Sequence, residues 1–106
     1  MELCLTLLAD LREQTQHLES IIASHEIEQA LELIDSRLLL LDKLHLLAQQ
    51  DEQARAQIRI VAQELLPREE LMIALLQENK SAVAELLTQA LSGNKAQQLY
   101  QRFSQE

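Results

Sequence analysis

Asp42 and His45 stand three residues apart, and Glu13 and His17 four apart. Both spacings bring a carboxylate and an imidazole to one face of a helix. A di-metal helical bundle needs two Glu-x-x-His motifs plus further glutamates. Here a single i, i+3 pair occurs, its acid is aspartate, and no second copy follows. The plainer reading is a surface hydrogen bond or ion pair for Glu13 and His17, and a place at a seam edge for His45. His25 reads as a turn residue. No metal site is expected, and no cofactor.

The other reactive side chains point the same way. Cys4 lies on an apolar stripe near the acidic Glu2 and Asp10, whereas a reactive thiolate needs basic neighbours. It reads as core filler. A single cysteine cannot form an internal disulfide, which fits a reducing compartment. The single glycine, Gly93, rules out a glycine-rich phosphate loop. The serines lack any nucleophile signature. An enzyme is not expected.

What remains is a scaffold of helices. One glycine and one proline in 106 residues leave little to interrupt them, and 24 leucines make the core aliphatic. The formal charge is −8, which disfavours nucleic acid and anionic membranes. No run approaches the roughly 20 apolar residues of a membrane span, so no membrane insertion is expected. Met1 to Ala9 is apolar but lacks the basic start of a secretory signal. A cytoplasmic location is expected.

Hydrophobic periodicity predicts an all-α antiparallel bundle of three to four helices with a short C-terminal helix. Helix one is expected at about 2–23, with Cys4, Leu8, Leu11, Leu18 and Ile22 on one stripe and Thr15 as its polar gap. Ser24 is the expected N-cap of helix two, at about 26–49. Helix two carries two seams. One is Ile27, Leu31, Ile34, Leu38 and Leu41; the other is Leu33, Leu40, Leu44 and Leu47. Asp51 is the expected cap of helix three, whose pattern runs on to Leu91. Pro67 should kink or break that helix. Residues 1–92 thus form the bundle. Gly93 then separates residues 93–106, an amphipathic tail with a last helix at about 94–104.

Two arrangements use such stripes. Either all are satisfied internally, or in a homodimer or scaffold, or a groove accepts a partner helix. The tail residues Leu99, Tyr100 and Phe103 are a candidate competitor for such a groove.

The chain also resembles a family. Residues 66–77, Leu-Pro-Arg-Glu-Glu-Leu-Met-Ile-Ala-Leu-Leu-Gln, and the later Glu85-Leu86-Leu87 are similar to the third helix of flagellar export chaperones of the FliT type. Residues 94–104, Asn-Lys-Ala-Gln-Gln-Leu-Tyr-Gln-Arg-Phe-Ser, resemble that family's last helix, where a lysine precedes a tyrosine and an arginine follows it. The tail is the distinctive part; helix two is compatible but less specific.

The resemblance implies a cytoplasmic chaperone. It would bind the flagellar filament-cap protein, keep it unassembled and deliver it to the export ATPase complex. A sister chaperone for hook–filament junction proteins is the nearest alternative. The expected client-binding residues lie on the apolar arc of helices two and three: Leu38, Leu41, Val61, Leu65, Met72 and Leu76. By resemblance, Ala62 and Gln63 fall near the family's partner contacts, and Tyr100 matches its tail tyrosine. Three departures stand out. The tryptophan of some relatives' first helix is absent, Pro67 interrupts helix three, and few residues follow Tyr100. A role in restraining a flagellar transcription regulator, seen in some relatives, does not carry over.

Overall fold

The computed structural model describes residues 1–92 and Arg102. Among the described residues four α-helices follow in order: α1 Glu2–Ala23, α2 Ala30–Gln50, α3 Glu52–Glu78 and α4 Ala82–Ser92. A 3-10 turn, Ile27–Gln29, precedes α2. The molecule is an all-α bundle in which α2 runs antiparallel to α1 and α3. At 1.5 Å per residue α3 is about 40 Å long, and it spans the 42 Å long axis.

One spacing builds the three long helices. Cys4, Leu8, Leu11, Thr15, Leu18 and Ile22 are buried on α1. Ala30, Ile34, Arg37, Leu41, Leu44 and Ala48 are buried on α2. Ile58, Ala62, Leu65, Glu69, Met72 and Leu76 are buried on α3. Each set steps by four and three residues in alternation, the repeat that keeps one narrow seam facing its neighbours. Helix two buries parts of both expected seams, Ile34 and Leu41 of one and Leu40 and Leu44 of the other, with Ile27 buried in the turn before it. Leu31 is exposed and Leu38 only half-buried, while Arg37 is interior. The leucines surround α2, so periodicity alone did not select its buried face.

The turns are made by local polar chemistry. After α1, the amide of Glu26 donates to Ile21 O at 3.1 Å and that of His25 to Ile22 O at 3.2 Å. This is the Schellman closure, with His25 in the left-handed position at φ 62° where glycine is usual. Ser24, expected to cap helix two, instead ends α1, and its hydroxyl donates to Ile21 O at 3.1 Å. Helix α2 begins at Ala30 rather than near 26, because the chain first winds through the 3-10 turn.

Asp51 is extended and joins α2 to α3 by itself; its carboxylate accepts the Gln53 amide at 2.9 Å. Arg55 reaches back and donates from Nε to Ala48 O at 2.9 Å, satisfying the end of α2.

Helix three does not run to Leu91, and Pro67 does not end it. The helix passes through Pro67, which is exposed, and stops at Glu78. The break falls at Asn79, whose side chain accepts the Ser81 amide at 3.0 Å. Ser81 Oγ then accepts the Ala84 amide at 3.1 Å and caps α4. Two short polar side chains thus compete with the helical backbone more effectively than the proline does. The chain turns back, and α4 packs on α3, α2 and the 3-10 turn. Gly93 and, apart from Arg102, the tail helix expected at about 94–104 lie outside the described residues.

Candidate docking surface and buried polar layer

The interior is divided. The first apolar cluster holds Cys4, Leu8 and Leu11 of α1, Leu41 and Leu44 of α2, and Ile58, Val61 and Leu65 of α3. The second holds Leu18 and Ile22 of α1, Ile34 of α2, Met72 and Leu76 of α3, and Ala84, Leu87 and Leu91 of α4. Between them lie Thr15, Arg37 and Glu69, which are 0%, 1% and 0% exposed. Arg37 Nη2 donates to Glu69 Oε2 at 2.5 Å and stands 3.4 Å from Thr15 Oγ1. The Thr15 hydroxyl donates to Leu11 O at 2.9 Å. Glu69 Oε1 has no hydrogen-bond partner among the described residues. Burial pushes the Glu69 carboxyl above the usual carboxylate range, with Arg37 pulling the other way.

The sequence reading placed Thr15 on the α1 stripe as a polar gap but gave Arg37 and Glu69 no place in the interior. The layer's signal was present. Thr15, Arg37 and Glu69 each occupy a seam position in the four-three repeat, at the same level of the bundle.

Two ion pairs clasp α1 to α3 outside the core. Arg12 holds both carboxylate oxygens of Glu64 at 2.9 Å, and Arg68 holds both of Glu19. Side-chain hydrogen bonds from the guanidinium groups keep the Glu64 and Glu19 carboxyls below the usual range. Each side chain is about a third or more exposed, so these pairs set register more than stability.

Most residues expected to bind a client are interior. Leu41, Val61, Ala62 and Leu65 lie in the first cluster, and Met72 and Leu76 in the second. Leu38 is half-buried and touches both clusters; Gln63 is exposed. The arc of helices two and three is therefore no open groove in this conformation. The reason is packing: α1 covers one side of these stripes, and α4 folds back over part of the other. Leu99, Tyr100 and Phe103 lie outside the described residues.

The open apolar surface is elsewhere. On α3, Ile60, Leu71 and Leu75 are 54%, 61% and 45% exposed. Steps of eleven and four residues keep them within about 60° of arc on one helix face, with the ion-paired Glu64 on the same arc between Ile60 and the Leu71–Leu75 pair. At its lower end this stripe meets a groove lined by Ile22, Ala23, Ile27, Leu75 and Leu76, with Glu78 at its rim. Helix α2 carries a smaller exposed pair, Leu39 and Leu46.

The remaining candidates for chemistry are quickly placed. Cys4 is buried, 4.0 Å from Ala54 O, and burial raises its thiol pKa. His45 Nε2 meets the Gln49 amide nitrogen at 3.2 Å. Among the described residues no three His, Cys, Asp or Glu side chains gather as a metal site. None of their helices is long and apolar enough to cross a membrane. No known family model matches the chain, and no curated protein or solved structure is significantly similar to it.

Proposed function

We propose that this protein is a helix-binding chaperone that takes an amphipathic helix of its client on the outer face of α3. The observation that carries the reading is the Ile60–Leu71–Leu75 stripe. It is exposed although the core beneath it is already filled. A stripe that leads into an apolar groove suits a helix laid lengthwise, anchored at i, i+3, i+4 and i+7 positions. The exposed Glu70 and Glu78 favour basic residues along the flanks of that helix.

The resemblance of the tail and of residues 66–77 supports a narrower reading: a cytoplasmic, non-enzymatic flagellar export chaperone. Its client is the filament-cap protein, and its delivery target is the export ATPase complex. In that reading residues 93–106, through Leu99, Tyr100 and Phe103, compete with the client for the protein's apolar surface.

Co-purification with the C-terminal segment of the filament-cap protein tests both levels. A stable complex is expected. Leu71→Glu with Leu75→Glu should weaken it at least about tenfold, the scale of losing apolar anchors, while helical content stays unchanged because both positions are exposed. Absence of any complex would sink the filament-cap assignment; binding of hook–filament junction proteins instead would favour the sister chaperone. A complex indifferent to the two glutamates would remove the α3 face. A stable dimer that protects the stripe would favour a client-free scaffold. A chain ending at Ser92 should bind more tightly, and equal or weaker binding would remove the competing tail.

A further inference from the structure

We infer that the Thr15–Arg37–Glu69 layer is a plane of weakness that divides the bundle into two units opening separately, the unit containing α4 opening first. The inference does not depend on the client.

Three observations converge on that plane. The two apolar clusters share no fully buried residue; half-buried Leu38 bridges them at the edge. A hydrophobic core is cooperative because every apolar group loses contacts when its neighbours leave. Here that chain of contacts is interrupted through the fully buried interior, from α1 through α2 to α3, and only half-buried Leu38 carries it past the layer at the edge. The Arg37–Glu69 pair holds the layer shut, but its charges regain hydration when water enters, which offsets much of what is lost on opening. Pro67 stands two residues before Glu69 on α3. It has no amide hydrogen, so the helix is weakest against bending beside the same plane.

The two units are unequal. The proximal one, around Leu11, Leu44 and Ile58, is closed by the one-residue Asp51 link, with Asp51 and Arg55 both bonded to helix ends. The distal one depends on α4, whose 11 residues form too short a helix to stand alone. It also contains the left-handed His25 and the 3-10 turn. Opening it would bare Met72, Leu76 and Leu87 while the proximal core stays folded. An apolar surface would then be presented without global unfolding.

Native-state hydrogen exchange on the full chain, read by mass spectrometry, tests this. Amides after Glu69 on α3, together with those of α4, should exchange as one class. Those of residues 40–48 and 54–65 should form a second class at least about tenfold slower. Replacing the pair by apolar residues, Arg37→Met with Glu69→Leu, should fuse the two cores and merge the classes. A single class in the unmodified protein overturns the inference, as do two unchanged classes in the folded double variant. If that variant does not fold, Pro67→Ala decides. It restores a helical donor at an exposed position and must narrow the gap between the classes; an unchanged gap overturns the inference.

Discussion

Removing one partner of the Arg37–Glu69 pair and removing both should have opposite consequences. The guanidinium and the carboxylate are 1% and 0% exposed and 2.5 Å apart. Glu69→Leu leaves the Arg37 cation in the interior without that carboxylate beside it, at a cost of about 3–5 kcal/mol. Arg37→Met strands Glu69 in the same way and should cost a similar amount. Against a total stability of roughly 5–15 kcal/mol for a domain of this size, either loss is large. The double variant restores neutrality and joins the two apolar clusters. It should lie between unchanged and about 1–4 kcal/mol more stable than the parent. Urea unfolding followed by helical circular dichroism at neutral pH gives the four stabilities, compared at a common slope. Singles that each cost less than about 1 kcal/mol would show a hydrated, surface-like pair. A double variant as unstable as the sum of the singles would show no coupling across the layer. Either result would refute the dry layer.

Two further predictions follow from the turns and the ion pairs. His25→Gly should stabilise the protein by about 0.5–1 kcal/mol. It relieves a left-handed residue costing about 1–2 kcal/mol and gives back part of that in unfolded-chain entropy; a lower urea midpoint would count against the Schellman closure. The pH dependence should have two opposed parts. Glu19 and Glu64 have lowered pKa values, so their stabilisation is present above the ordinary carboxylate range and is lost as pH falls through the lowered values. The raised Glu69 does the reverse: stability falls as pH rises from the ordinary range through its raised value. Urea midpoints of the parent minus those of the Arg37→Met, Glu69→Leu variant should therefore decline across that upper window. A flat difference would mean that Glu69 is not shifted upward.

The helical class of the protein was legible in the residues. With one glycine and one proline, little else could form, and the α1 stripe with its gap at Thr15 was read at the positions the fold buries. Asp51 as the cap of α3 and Cys4 as core were equally local, each decided by a side chain and its near neighbours. The end of α3 was missed because its apolar spacing continues into α4. Only the side chains of Asn79 and Ser81, bonding to nearby amides, interrupt it.

Other features were decided in three dimensions. Leucines lie on nearly every side of α2, so which of them face inward depends on where α1 and α3 press. The same packing turned Met72 and Leu76 from candidate contacts into core and left Leu71 and Leu75 outside. Arg37 and Glu69 are 32 positions apart, and neither would enter an apolar interior alone. Periodicity records that a helix has a stripe. A buried charge records which partner the fold brings to it, because only that partner offsets the loss of water.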